Sequence, residues 1–225
     1  GPLAMPRSPQ VRPVFMQAGS SDRGRDFAAR WAELIFCTPH SKADTLAFTT
    51  DVKARMAKHG RAPDDCKILP SFMTVIGETE SIAQEKYEYL QSLIDPEAQQ
   101  MLNSSLMGAD LSKHQDVTSF AAAMGNQGIS GSIDRVMQVM QQERLTFTEA
   151  TQKPRGLLVG TPQTVADTLE DYFTSGACDG FIITPTVHPR MFEEFCRLVV
   201  PELQRRGLFR KEYAGATLRE NLARP

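Results

Sequence analysis

The chain has 225 residues, 41% hydrophobic and 23% charged, with 25 Lys+Arg against 27 Asp+Glu and a formal net charge of −2. That balance excludes a basic nucleic-acid surface and a polybasic membrane patch, and the composition is that of a globular protein. No apolar run approaches the roughly 18 residues of a membrane span, and no signal-like segment is present, so a cytoplasmic protein without nucleic-acid or membrane partners is expected.

In chain order, the first element is a strand over Pro13–Gln17. It runs through Ala18 into Gly19-Ser20-Ser21 and then a helix over Asp22–Ala32, which carries Phe27, Ala28 and Trp31 at helical spacing. Gly19 can take a positive φ, and the serines fall where the first amides of a helix lack partners within it. Such an end favours an anion through both its amides and its dipole. The plainer reading stays open beside it: Ser20 or Ser21 simply caps the helix. Arg23 and Arg25 lie in the first turn, either as solvated helix charge or as cations near a bound phosphate.

A second strand is expected over Glu33–Cys37, followed by a helix over Lys42–His59 with Leu46, Val52 and Met56 inward, closed by Gly60. A third strand, Cys66–Pro70, leads to a helix over Thr79–Ile94 with a capping-box-like start and Ile82, Ala83, Tyr87 and Leu90 on one face. From about 95 to 155 the β-α order breaks into Gly/Ser/Asn clusters and short helical patches such as Ile133–Arg144, which read as a helical or lid insertion. Val159–Pro162 reads as a strand-loop-helix cap, because it lacks the Lys-Ser/Thr of a phosphate-binding P-loop. Thr161-Pro162 opens the next helix, which continues through Val165, Leu169 and Phe173. The last strand is Gly180–Thr184 and the last long helix His188–Arg206, with Phe192, Phe195, Leu198 and Val199 inward; a charged tail fills 207–225.

Alternating strands and helices predict an α/β fold with a parallel sheet wound by right-handed crossovers, its short apolar strands buried on both faces. Cys37, Cys66, Cys178 and Cys196 are scattered without ligand spacing, and His40, His59, His114 and His188 are isolated. Packing thiols and no metal site are expected. The many Met and Phe side chains read as core.

The run PVFMQAGSSDRGRDFAARWAELIF resembles the flavin-dependent monooxygenases of the bacterial luciferase-like superfamily, in the branch of nitrilotriacetate monooxygenase. GRAPDDCKILPSFMTVIGETESIA, Asp110–Ser112, Leu158–Asp167, GACDGFIITP and VVPELQRRGLFRKEYAGATLREN follow in the family's order. Even GPLAMPRSPQ matches the stretch before the QAG strand, so Gly1-Pro2 reads as native chain. The resemblance implies a (β/α)8 barrel, of which residues 1–225 are the C-terminal half: strands five to eight, with the helical excursion before the last strand. It further implies a two-component monooxygenase that inserts one oxygen atom from O2 into a small organic substrate. Reduced FMN comes from a separate NAD(P)H-dependent flavin reductase.

Carried over by motif, Gly19, Ser20 and Ser21 hold the FMN 5′-phosphate, Ala18 allows close backbone approach, and Gln17 supports the turn from behind or is purely structural. Thr184, Pro185 and Thr186 face the pocket mouth, with Thr186 standing where relatives often carry a second proline. His188 is the single catalytic candidate, as a proton donor. The chain begins mid-motif without Met, so a fragment that is inactive alone is expected, with a homo-oligomer or a missing N-terminal half covering its unpaired sheet edges. The alternative is a non-catalytic flavin-binding or assembly module.

Overall fold

The structure is a computed structural model, and it describes residues 4–38, 41–107, 110–113, 139–141, 144–145, 149–150 and 156–223. Among the described residues five strands, β1 (Met16–Ala18), β2 (Leu34–Cys37), β3 (Lys67–Ile76), β4 (Leu157–Gly160) and β5 (Ile182–Pro185), pair in parallel throughout. β3 is the hub: Lys67–Pro70 pair with β2, Met73–Ile76 with β4, and Ser71–Thr74 with β5. Met73 and Thr74 have partners on both sides, so β4 and β5 occupy opposite edges of β3. The third predicted strand therefore runs six residues further than Pro70, and the strand of the expected strand-loop-helix cap at Val159–Pro162 begins earlier, at Leu157. The alternation that buries every second residue runs on through Phe72 to Thr74, and Val75 and Ile76 after it are both buried.

The helices are α1 (Asp22–Trp31), α2 (Lys42–Lys58), α3 (Glu80–Ser92), α4 (Pro96–Met107), α5 (Pro162–Thr174), α6 (Arg190–Glu194), α7 (Val200–Arg205) and α8 (Leu218–Ala223). A π-helical turn, Phe195–Val199, joins α6 to α7. The single helix expected over His188–Arg206 is thus a continuous helical run from Arg190 to Arg205 that widens into the π turn ahead of Pro201, which brings no N–H. The chain falls into two compact units, Gly1–Gln84 with Arg155–Pro225, and Glu85–Pro154. In the second, Asp95 caps α4 by accepting from the Glu97 and Ala98 amides, and Leu111, Val139 and Ala150 are buried. The patch expected at Ile133–Arg144 falls largely outside the described residues.

The first unit's core lies between one sheet face and its helices. Ala28 and Ala29 of α1 and Phe48, Val52 and Met56 of α2 pack on Ile35 and Ile68. Val165, Ala166 and Leu169 of α5, with Phe195, Val199 and Leu203, pack on Phe72 and Ile76. Sheet burial is one-sided over most of its length, against expectation: register partners Met16, Leu34 and Lys67, with Leu69, Ser71 and Met73, are exposed or half-buried on the other face, while Val75 at the end of β3 is buried. The inward helix residues differ as well. Alanines bring α1 close to the sheet, leaving Phe27 at 57% and Trp31 at 53% exposure on its flank. Leu46, Ile82, Phe173, Phe192 and Leu198 are likewise exposed at the margins of their helices. Cys66 and Cys178 are buried thiols that desolvation pushes up to about 11 and about 12, which leaves them unreactive packing groups as expected.

Two charged side chains lock the layers. Asp179 continues β5 backwards: its N–H donates to Ile68 O and its Oδ2 accepts the Ile68 N–H, both at 2.9 Å, while Lys53 Nζ sits 2.8 Å from Oδ1. Arg61 donates to Ala29 O and Ala32 O at 2.8 and 2.6 Å, satisfying the C-terminal carbonyls of α1. The tail is also pinned. Arg219 of α8 donates to Gln10 O, Arg12 O and Glu33 Oε2, joining the two ends of the described chain at the strand N-termini.

Glu33 titrates below its ordinary value, chiefly because Arg219 donates to it, with the Phe15 amide and Arg12 adding to the effect against desolvation. A carboxylate depressed by folding stabilises the fold above the unfolded value near 4.5, and that contribution is lost as pH falls through the lower folded value. Glu33→Gln is therefore expected to destabilise the chain at pH 7 by roughly 2 kcal/mol and to flatten the acid limb of its stability profile. Urea titrations between pH 3 and 7 check this; parallel profiles for both proteins contradict it.

Candidate functional site

β1 ends at Ala18, and its side chains alternate. Gln17 is in register with Ile35 and Ile68 and so turns toward the helix layer; Ala18, in register with Phe36 and Leu69, turns to the opposite face. The Gly19-Ser20-Ser21 turn crosses above Gln17. A Cβ on Gly19 would stand 2.8 Å from Gln17 Nε2, and one on Gly24 would stand 3.0 Å from Ser21 Oγ and 3.6 Å from Gln17 Nε2. Both glycines let the backbone pass close to one amide side chain, which would have to shift if Gly19 carried a Cβ. Gln17 Oε1 is buried there without a hydrogen-bond partner.

Ser21 is the N-cap of α1, its Oγ accepting the Gly24 N–H at 3.1 Å. The first bond inside the helix runs from Arg25 N to Ser21 O at 2.9 Å. The amides of Asp22 and Arg23 precede it and point out of the helix end. The capping reading thus holds for Ser21, and it leaves the outward amides in place.

Arg25 is half-buried and paired back toward the start of the helix, not free helix charge. Its Nε donates to Ser20 O at 2.8 Å, a terminal nitrogen meets Asp51 Oδ2 at 3.0 Å, and the guanidinium lies 5.0 Å from the Phe48 ring centre. Arg55 bonds Asp51 at 3.0 Å and Asp22 at 2.7 Å. The Arg55 hydrogen bond, followed by that of Arg25, holds the Asp51 carboxyl below its ordinary range. Two carboxylates face two guanidiniums, so this cluster adds no net charge, and attraction for an anion rests on the amides and the helix dipole. Arg23 is exposed, in keeping with solvated helix charge.

A second helix N-terminus is already filled. Glu80 Oε1 accepts the Thr161 N–H at 3.3 Å and the Thr164 hydroxyl, so a carboxylate sits at the start of α5. Those two donors, the hydroxyl first, lower the Glu80 titration. Val159–Pro162 is thus a strand and a capped helix start, as its sequence suggested.

The strand C-termini share one end of the parallel sheet, which puts the segment after β5 on the same side as the turn. Thr184 Oγ1 lies 3.1 Å from Ser71 Oγ, and Thr186 donates back to Thr74 O at 3.1 Å. His188 is exposed just beyond. Three strand spacings separate β5 from β1, on the order of 14 Å, so the turn and His188 are not brought together by this sheet. Among the described residues no group of His, Cys, Asp and Glu could hold a metal ion, and no helix is long and apolar enough to cross a membrane.

Sequence reasoning left the role of Gln17 open and missed Gly24, the first and last residues of the QAGSSDRG run, and Arg25 at the next position was weighed only as charge. The i+5 spacing from Ser20 to Arg25 was the available signal.

Residues 1–179 match the model of a family described as luciferase-like monooxygenase. Nitrilotriacetate monooxygenase component A of Aminobacter aminovorans is 40% identical over 237 residues, covering 100% of this chain and 52% of that protein. Dibenzothiophene-sulfone monooxygenase of Rhodococcus erythropolis is 38% identical over 232 residues, covering 99% of this chain and 51% of that protein. The crystal structure of a long-chain alkane monooxygenase superposes with a TM-score of 0.79 at 34% identity, covering 99% of this chain and 48% of that one. The chain spans about half the length of the curated relatives it matches.

Proposed function

The chain belongs to the luciferase-like monooxygenase family, and from that premise we propose that it carries the flavin-phosphate half of an FMN-dependent, two-component monooxygenase. The observation that carries this reading is the α1 N-terminus, an anion site built at the C-terminal end of a strand. Gly19 keeps the turn close over the Gln17 side chain, and the first bond inside the helix, from Arg25 N to Ser21 O, leaves the preceding Asp22 and Arg23 amides directed out of the helix end. These features fit a phosphate monoester. The backbone of Gly19 and Ser20, the Ser20 hydroxyl, and the amides of Ser21, Asp22 and Arg23 would hold it. When bound, reduced FMN supplies the electrons that activate O2; the chain's own residues bind and orient the phosphate and exclude water around it. Ala18 faces away from α1, where it leaves the backbone open to the cofactor. His188 remains a candidate proton donor on the same end of the sheet.

The half-barrel reading, strands five to eight, draws support from the same pattern. β1 and β5 are sheet margins, one sheet face is half-bare, and Phe27, Trp31, Phe192 and Leu198 are exposed beside those margins. An N-terminal complement or a second copy of the chain would cover them. A separate NAD(P)H-dependent reductase and a small organic substrate complete the proposal.

The test titrates the chain with oxidised and then anaerobically reduced FMN by calorimetry, beside a Ser20→Ala/Ser21→Ala variant. Saturable binding is expected, weakened at least about tenfold in the variant, together with self-association in sedimentation. Equal affinities in the two proteins contradict the phosphate site, and a compact monomer contradicts the open margins.

A further inference from the structure

We infer that Arg25 is the positioning residue of the phosphate turn: it fixes the direction of the Ser21 amide without touching the ligand. The inference rests on the phosphate reading above and adds what sets that site's geometry. Ser20 O and the Ser21 N–H belong to one peptide group. That group is planar and trans, so its carbonyl and its N–H point in opposite directions. Arg25 Nε donates to Ser20 O at 2.8 Å and thereby holds the carbonyl back toward α1 and α2. The Ser21 N–H is then presented outward, on the side where Asp22 and Arg23 also offer theirs.

The donor is itself held from two directions, and one of its holders is held in turn. Asp51 takes one terminal nitrogen of Arg25 at 3.0 Å, the Phe48 ring lies under the guanidinium, and Arg55 holds Asp51 from the other side at 3.0 Å. Arg55 also reaches the Asp22 carboxylate at 2.7 Å, which offsets a negative charge that would stand beside the incoming phosphate. One Arg-Asp-Arg-Asp chain thus ties α2 to both sides of the turn. Gly24 permits the arrangement, because a side chain there would press on Ser21 Oγ at 3.0 Å. Glycine, arginine and serine at these spacings therefore form one device. Geometry is its essential property, since a lysine ammonium keeps the charge but cannot donate to Ser20 O and Asp51 in one plane.

The experiment measures FMN and riboflavin binding to the chain and to its Arg25→Lys and Arg25→Ala variants. Riboflavin has the same ring system without the phosphate, so the ratio of the two affinities isolates the turn. Wild type is expected to prefer FMN. Both variants are expected to lose about ten- to a hundredfold in FMN affinity while riboflavin binding stays within about twofold. Arg25→Lys, which keeps the charge and most of the packing, serves if the alanine variant does not fold. A wild-type preference for FMN that persists in Arg25→Lys overturns the inference and leaves the phosphate site standing. Equal loss for both ligands makes Arg25 a general stabiliser and overturns it too. A wild type without preference for FMN overturns the phosphate reading and this inference with it.

Discussion

Phe72→Ala is expected to destabilise the first unit by about 4 kcal/mol, a loss that lowers its thermal midpoint by roughly 8–16 °C. Phe72 is 2% exposed and sits where β3 meets both β5 and the helices. Its ring stands edge-on to Tyr172 at 5.2 Å and tilted on Phe181 at 5.9 Å, contacts that add to the area it buries. The two remaining rings, Tyr172 and Phe181, cannot collapse into the void without moving α5, which carries Tyr172, so the cavity persists. Urea unfolding of the variant checks the figure; a loss under about 1 kcal/mol would show that the second core cluster does not depend on this ring.

Gly77→Ala is the second large effect. A Cβ there would stand 2.3 Å from Ala83 N and 2.8 Å from Thr79 O, both backbone atoms that no side-chain rotation can relieve. The first turn of α3 must retreat, at about 3 kcal/mol or more. Glu80 lies in that turn and is the group that fills the N-terminus of α5. The variant is therefore expected to lose both stability and the Glu80 cap on α5, read as broadened amide resonances of Thr161 and Thr164. Unchanged resonances with unchanged stability contradict the packing described here. The predicted asymmetry between the two helix ends is useful, because α5 loses a carboxylate while α1 is untouched.

Much of this fold is legible in the chain because its signals are local. Gly60, Ser21 and Thr161-Pro162 mark helix ends by their own backbone chemistry, and the structure places a helix boundary at each. The errors share a different cause. Trp31, Phe27 and Phe192 have the spacing of core residues, yet alanines decide how closely a helix approaches a sheet, and periodicity does not encode that distance. β4 is four residues long and acquires its identity from pairing with Met73–Ile76, 84 positions away in register, which no window of sequence contains. The tail reads only as a charged segment because Arg219 finds Gln10, Arg12 and Glu33 only in the folded chain.

The candidate site divides along the same line. Gly19, Ser20 and Ser21 are visible in sequence, since a strand, a glycine and two small hydroxyl residues before a helix state their own geometry. Arg25 was misread because its partners, Ser20 O, Asp51 and Phe48, come together only when α2 packs on α1. Gln17 was ambiguous for want of a face, and the register of β1 on β2 assigns one.

The most direct measurement of the central claim is a two-dimensional amide NMR titration of the isotope-labelled chain with FMN and, in parallel, with riboflavin. Shifts specific to FMN are expected at the amides of Gly19, Ser20, Ser21, Asp22 and Arg23, with those of Thr161 and Thr164 unmoved. FMN-specific shifts that fall elsewhere, or the same shifts with riboflavin, would contradict a phosphate site at the start of α1.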